Sequence, residues 1–289
     1  MNSACAVIFP GQGSQHENIR APVDEHRPDL GERAVEIVGA DPFVRAAEST
    51  RFLQPAVYCA SLAGWERYQR TNGVPPSFFA GHSLGEFAAL VAAGSLDETD
   101  GLRLVATRGE LMERAARQSS GGMLALVGPG AAAFGAEASA FGVALAADNS
   151  PDQIVLSGPR EGLEAARRAA TERGLEARVL RIAGAFHHSS LERVLPAFAA
   201  ALEEVTFRPP STPVFSGVTG RPFDDIRLRL AESLRSPVLW RQTAIELHRR
   251  GVRRFVEAGP GHVLLGLLRR TLREDVELMT MDDSEVGVA

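Results

Sequence analysis

Ten residues, Phe78-Phe79-Ala80-Gly81-His82-Ser83-Leu84-Gly85-Glu86-Phe87, limit the folds open to this chain more than any others. An apolar strand runs into Gly-His-Ser-Leu-Gly, and a helix rich in alanine and leucine follows at once. Gly-x-Ser-x-Gly between a strand and a helix is the pattern of a nucleophile elbow on an α/β scaffold. The glycines leave room for a sharp turn, and the turn lifts a serine hydroxyl clear of the sheet. A helix beginning at that serine aims its free N–H groups and the positive end of its dipole at any charge developing there. A purely structural account stands beside this one, because Ser83-x-x-Glu86 ahead of an apolar run is also a capping box. The flanking glycines and the apolar strand favour the nucleophile.

With 289 residues the chain has room for one large unit or two unequal ones. Its net charge of −5 argues against nonspecific binding to nucleic acid. It has no lysine, so all 31 basic residues are arginine, which excludes a Walker A loop and Schiff-base chemistry. Cys5 and Cys59 lie in apolar context and are expected as buried thiols rather than a disulfide. No His or Cys pairs show metal-ligand spacing, so no metal is expected. The first residues do not combine a basic stretch with a long apolar one, and no run reaches membrane-spanning length. A cytoplasmic location, without signal peptide or membrane association, is the expectation.

Taken in order, Ala4–Phe9 reads as a strand buried in a parallel sheet, running into the loop Pro10-Gly11-Gln12-Gly13-Ser14-Gln15. As a phosphate signal that loop is weak, since position 16 is His. Residues 17–50 are polar, with a short helix over about Leu30 to Val38. The next helix is expected from Pro55 to Arg70, broken by Thr71-Asn72-Gly73-Val74-Pro75-Pro76. The elbow helix spans Leu84 to Ala93, and Asp97-Glu98 opens another that reaches about Gln118. On that helix Leu104, Val105, Leu111, Met112 and Ala115 form the buried stripe, and Arg108 lies among them. An arginine facing the core needs an anion or a ring of acceptors. An internal carboxylate, backbone carbonyls or an acidic substrate would each serve, and periodicity does not choose.

Ser119-Ser120-Gly121-Gly122 is a flexible joint, after which the pattern changes. Strands at Met123–Val127, Val143–Ala147, Gln153–Ser157 and Arg178–Ile182 alternate with helices at Ala131–Phe141 and Glu161–Arg173. That β-α-β-β-α-β order is ferredoxin-like, and predicts an inserted subdomain over 122–187, with 1–121 plus 188–289 as the core. The insertion ends at Ala183-Gly184-Ala185-Phe186-His187-His188. A histidine just past a strand end, at such a junction, can reach a nucleophile as general base. His187 or His188 could equally cap the following helix, which runs to about Glu204. A strand at Val214-Phe215, a helix over Trp240–Arg250, a strand at Arg254–Glu257 and a closing helix follow, and Asp282–Ala289 should fray.

The chain resembles the malonyl-CoA:acyl carrier protein transacylases, a family that includes the acyltransferases of polyketide synthases. The likeness rests on Phe9-Pro10-Gly11-Gln12-Gly13-Ser14-Gln15, Gly81-His82-Ser83-Leu84-Gly85-Glu86, and Arg108-Gly109 with Met112. It continues through Asn149-Ser150-Pro151, Ala185-Phe186-His187, Pro237-Val238-Leu239-Trp240 and Glu257-Ala258-Gly259-Pro260-Gly261. Departures are His188 where the family usually has Ser or Thr, Leu191 for Met, and Asn18-Ile19 for Gly-Met.

The resemblance implies an α/β-hydrolase-like large domain with a ferredoxin-like insertion. It makes Ser83 the nucleophile and His187 its base, oriented by a main-chain carbonyl around Leu239. The backbone N–H groups of Gln12 and Leu84 would form the oxyanion hole, and Arg108 would hold the malonyl carboxylate. Phe186 matches the malonyl-selective form. The implied reaction passes malonyl from coenzyme A, a substrate rather than a cofactor, to an acyl carrier protein, with the enzyme a monomer. An acyl hydrolase, a carrier-to-carrier acyl transferase and a non-catalytic docking module are the rivals. Arg167-Arg168 and Arg249-Arg250 with Arg253-Arg254 are candidate docking surfaces for an acidic carrier protein, or simply solvated helix faces.

Overall fold

The fold was analysed in a computed structural model, which describes residues 4–72, 74–182, 184–273 and 276–282. Gly73, Ala183 and the C-terminal end past Asp282, where fraying is expected, lie outside the described residues. The described strands are β1 (Ala4–Phe9), β2 (Phe78–Gly81), β3 (Gly121–Val127), β4 (Ala144–Ser150) and β5 (Gln153–Pro159). They continue with β6 (Glu176–Val179), β7 (Val214–Ser216), β8 (Arg221–Pro222), β9 (Val252–Glu257) and β10 (Glu277–Thr280).

These strands make a mixed α/β fold with two sheets. The larger has the order β10-β9-β1-β2-β7-β8 and is parallel except for β8 at one edge. β1 is apolar throughout and buried, as a strand covered on both faces must be. It pairs with β2 on one side and β9 on the other. The chain therefore leaves β1 and β2 at adjacent strand ends, where crevices form in open α/β sheets. From the end of β1 comes the Pro10–Gln12 loop, and from the end of β2 comes Ser83.

The turn after β2 depends on glycine because backbone meets backbone. A Cβ on Gly85 would stand 2.1 Å from the Phe9 carbonyl oxygen, and one on Gly81 would stand 2.1 Å from the Gly85 carbonyl carbon. Ser83 itself takes a left-handed conformation, φ 53°, which a side chain adopts at a cost. The elbow helix, Gly85–Ala92, has Leu84 at its N-cap and no side-chain cap bond. The capping-box account of Ser83 and Glu86 is thereby corrected. Glu86 instead accepts from the Gly217 N–H at 2.8 Å, tying the helix to the end of β7.

Asp97 caps the helix Glu98–Arg117, accepting from the Thr99 and Asp100 N–H groups, and Arg108 is buried among its apolar stripe. That helix crosses Thr50–Asn72 so closely that a Cβ on Gly109 would lie 2.8 Å from the Thr50 carbonyl oxygen. The helix Thr50–Asn72 starts more than a turn before the expected Pro55, which sits inside it. Pro55 forfeits the bond to the Arg51 carbonyl, but this extra turn buries Thr50, Phe52 and Gln54. Ahead of Pro28–Val38 stands a second short helix, Ala21–His26, which was not expected because Val23 is its only buried residue.

The smaller sheet is antiparallel, in the order β4-β5-β3-β6. Helices Ala131–Ala136 and Arg160–Glu172 pack on it over a separate core that includes Leu124, Leu126, Phe134, Ile154, Leu156 and Leu163. Its last strand is Glu176–Val179 rather than Arg178–Ile182; Leu180 N–H still donates to the Met123 carbonyl of β3 at 3.0 Å, and Ile182 runs on beyond the sheet. β4 is joined to the rest of the molecule at Val238, which exchanges backbone hydrogen bonds with Ala146 and Asp148, both at 2.9 Å. Arg241 adds an ion pair to Asp148 at 2.7 Å. No described helix is long and apolar enough to cross a membrane.

Two substitutions test the elbow account by thermal unfolding. Gly85→Ala forces a Cβ into backbone and is expected to cost about 3 kcal/mol or more, lowering Tm by about 6 °C or more for a chain of this size. Gly266, inside the helix Val263–Leu272, has no neighbour within 4 Å of its would-be Cβ. Gly266→Ala should raise stability by about 0.5–1 kcal/mol. An unchanged Tm for Gly85→Ala would refute the close approach.

Candidate active site

Ser83 is held between two groups. Its Oγ lies 2.9 Å from His187 Nε2 and 2.9 Å from Arg108 Nη2. His187 is 8 % exposed and takes φ 54°. Its Nδ1 lies 2.7 Å from the Ser233 carbonyl oxygen and 3.1 Å from that of Ser236. Carbonyls only accept, so Nδ1 carries the proton and the Nε2 lone pair accepts from the Ser83 hydroxyl. The hydroxyl oxygen in turn accepts from Arg108. One tautomer satisfies every contact, and it is neutral. Burial first, then the charges of Arg108 and His82, bring the His187 pKa down to about 3. The orienting carbonyls lie just before the Pro237-Val238-Leu239-Trp240 motif rather than on Leu239 itself, whose own oxygen is taken by Thr243 N–H and hydroxyl. They stand one turn earlier, where the chain ends the helix Ile226–Glu232 and approaches Pro237.

Arg108 is 1 % exposed. Nη1 donates to Gln54 Oε1 at 2.7 Å and Nη2 to Ser83, while the buried Nε has no partner among the described residues. Burial lowers its pKa to about 10, so it remains a cation at neutral pH. Both partners are uncharged. Glu86 is the carboxyl that acts on it through space, and burial pushes that group up to about 8, weakening it as a counter-charge at neutral pH. Of the partners left open by periodicity, the structure supplies polar acceptors without an ion pair. Gln54 is fully buried and donates through Nε2 to Thr50 Oγ1 at 2.9 Å and to Met112 Sδ at 3.3 Å. Thr50 Oγ1 also accepts from Gln12 Nε2 at 2.9 Å.

A cleft opens at this cluster. Gln12, Ser83 and His187 line it on the polar side, with Met112, Phe186, Leu180, Ile182 and Leu267 on the apolar side. The backbone N–H groups of Gln12 and Leu84 donate to no acceptor in the described residues. His82 also lines the cleft and bonds Asn149 of β4 at 2.9 Å, linking the elbow to the smaller sheet. His188 points elsewhere. Its Nδ1 accepts from Ser190 N–H at 3.1 Å and caps the turn Ser189–Val194. Of the candidate arginine clusters, Arg167 pairs with Glu164 and Arg249 and Arg250 with Glu246 within their own helices, while Arg254 on β9 pairs with Glu277 of β10.

A serine hydroxyl against a neutral imidazole, beside two unpaired amide N–H groups, is equipped for acyl transfer through a tetrahedral intermediate. The buried cation beside the hydroxyl can pair with a negative charge. Sequence reasoning missed Thr50, Gln54 and the carbonyls of Ser233 and Ser236. Pro55 hid the first two by marking a false helix start, and a carbonyl has no residue-type signature.

A family model described as an acyl transferase domain matches residues 25–285. The polyketide biosynthesis protein ThaF of Burkholderia thailandensis is 39% identical over 92% of this chain and 24% of its own length. The chain thus spans about a quarter of that protein. The polyketide biosynthesis malonyl CoA-acyl carrier protein transacylase BaeC of Bacillus velezensis is 35% identical over 92% of this chain and 96% of its own. Among solved structures, the malonyl CoA-acyl carrier protein transacylase from Coxiella burnetii has a TM-score of 0.90 at 29% identity, covering 96% of this chain and 94% of that one. A malonyl-transacylase solved in complex with its type II polyketide synthase acyl-carrier protein has a TM-score of 0.88 at 31% identity, covering 96% and 95%.

The depressed basicity of His187 can be read directly. A base with an ordinary histidine pKa of about 6.5 loses its neutral form steeply below neutrality, whereas one held near 3 stays neutral throughout. Labelling of Ser83 by a fluorophosphonate should therefore stay within about twofold between pH 5 and 7. A roughly tenfold fall per unit below pH 6.5 would contradict the neutral imidazole.

Proposed function

The chain belongs to the acyl transferase domain family, and from that premise we propose that it transfers malonyl from coenzyme A to the phosphopantetheine thiol of an acyl carrier protein. His187 Nε2 takes the Ser83 proton as Oγ attacks the thioester carbonyl. The oxyanion faces the Gln12 and Leu84 N–H groups, the C–S bond breaks, and the proton passes to the departing coenzyme A thiolate. In the second half the carrier thiol gives its proton to His187, attacks the malonyl-serine ester, and Ser83 recovers its hydroxyl. Neither half needs a cofactor beyond the thioester substrate itself.

The observation that carries the malonyl reading is Arg108, a buried cation touching the Ser83 hydroxyl with no carboxylate at contact distance among the described residues. An uncharged acyl group would leave that charge uncompensated, whereas a malonyl carboxylate can displace Ser83 from Nη2 and form a charge-assisted pair. Phe186, lining the same cleft, suits an acyl group without an α-branch.

The architecture is read in the same terms as an α/β-hydrolase-like core, 1–121 plus 188–289, with a ferredoxin-like insertion over 122–187. The antiparallel order β4-β5-β3-β6 with two helices on it supports the insertion. The enzyme is taken to act as a cytoplasmic monomer.

Intact mass measured after brief mixing with malonyl-CoA should show one malonyl adduct, mapping to Ser83 and absent in Ser83→Ala. Rapid decay of the adduct to free malonate without a carrier protein would mean a hydrolase, and no adduct would mean a docking module. Arg108→Ala should lower kcat/KM for malonyl-CoA by about 30- to 5,000-fold, the cost of removing one partner of a buried charge pair. Acetyl-CoA lacks that carboxylate and should be transferred as well as before or better. Parallel losses with both thioesters would make Arg108 structural. His187→Ala should slow acylation by about 10²–10⁴-fold, and His188→Ala by far less.

A further inference from the structure

We propose that Gln54 is the positioning residue that selects which edge of Arg108 faces the substrate. The inference rests on Arg108 receiving the malonyl carboxylate. Gln54 is fully buried and bonds Arg108 but not Ser83, so it acts through Arg108 rather than on the substrate.

A guanidinium has two edges that can grip a carboxylate with parallel N–H bonds, one made by Nε and Nη2 and one by Nη1 and Nη2. Here the amide oxygen of Gln54 occupies Nη1 at 2.7 Å. Nη2 reaches Ser83, and Nε is buried without a partner. The edge left to an incoming carboxylate is therefore Nε with Nη2. Occupying it pairs the orphaned Nε and moves Nη2 off the Ser83 oxygen.

Gln54 is itself fixed at both ends. Its amide nitrogen donates to Thr50 Oγ1 and to Met112 Sδ, so Oε1 must be the atom facing Arg108. Reversing the amide would set N–H against N–H. Thr50 Oγ1 also accepts from Gln12, whose backbone amide belongs to the proposed oxyanion hole. A chain of four side chains thus runs from the β1 loop to the guanidinium.

The amide oxygen is also the neutral choice. A carboxylate at position 54 would neutralise Arg108 before substrate arrived. Glutamine orients the cation and leaves its charge for the acyl group.

The test compares kcat/KM for malonyl-CoA and acetyl-CoA in four variants: Gln54→Met, Gln54→Glu, Arg108→Ala and the Gln54→Met/Arg108→Ala double. Losing an acceptor to a charged donor should cost malonyl transfer roughly 10- to 150-fold in Gln54→Met, while acetyl transfer stays within about threefold. Gln54→Glu keeps the shape and the acceptor, so it carries the test should Gln54→Met fail to fold. It should also lose malonyl transfer selectively, through its added charge. In the Arg108→Ala background, Gln54→Met should change the malonyl-to-acetyl ratio by less than about twofold, since its target is gone. If Arg108→Ala collapses the ratio while both Gln54 variants preserve it, the role of Gln54 is overturned and the malonyl reading stands. Equal losses with both thioesters in the Gln54 variants would mark the residue as structural. If Arg108→Ala leaves the ratio intact, the malonyl reading fails and this inference fails with it.

Discussion

The site is organised by one oxygen atom, Ser83 Oγ, which donates to His187 and accepts from Arg108. Each contact constrains the other. Burial, and after it the cation beside the hydroxyl, opposes positive charge on the imidazole, and His187 is held neutral. The proposed reaction nevertheless requires a transient imidazolium as the serine gives up its proton. A malonyl carboxylate on Arg108 cancels the opposing charge at the moment the proton moves. The same interaction that binds the acyl group would then also ease its transfer, and an uncharged acyl group would forgo both.

Bringing three such groups together is a matter of where backbones can touch. The elbow lies against the end of β1, and only glycine at position 85 permits the contact with the Phe9 carbonyl. The crossing at Gly109 brings the helix that carries Arg108 onto the turn that carries Thr50 and Gln54. His187 arrives from the far side, after β6, and is locked by carbonyls from the segment before Pro237. The smaller sheet closes the cleft through Asn149 and the run Leu180–Ile182, and is attached to the larger unit at Val238. Buried polar groups of this kind persist when each is satisfied, and within the Ser83–His187–Arg108–Gln54 cluster the Nε of Arg108 has no partner among the described residues.

Much of this was legible in the residues. The strand-Gly-His-Ser-Leu-Gly-helix pattern placed Ser83, and the helical stripe placed Arg108 on the buried face of its helix. The change of periodicity after Gly122 announced the second sheet. What stayed hidden has physical causes. Pro55 usually marks a helix start, so the turn carrying Thr50 and Gln54 read as loop, although burial of Phe52 and Gln54 sustains it. Ser83-x-x-Glu86 suits both a cap and a catalytic turn, and only three-dimensional partners separate them. The last strand of the smaller sheet was placed two residues late, because Leu180 and Ile182 are apolar for the sake of the cleft rather than the sheet. A carbonyl that orients a histidine belongs to backbone geometry and leaves no mark in residue types.

The account as a whole stands on Arg108 exchanging a hydroxyl for a carboxylate. A crystal structure of the acyl-enzyme, trapped by brief exposure to malonyl-CoA, tests this most directly. The account predicts malonyl esterified to Ser83, its free carboxylate on Nε and Nη2 of Arg108, Nη1 still on Gln54, and His187 Nδ1 still on Ser233 and Ser236. A malonyl group on Ser83 whose carboxylate points away from Arg108 into solvent would contradict it.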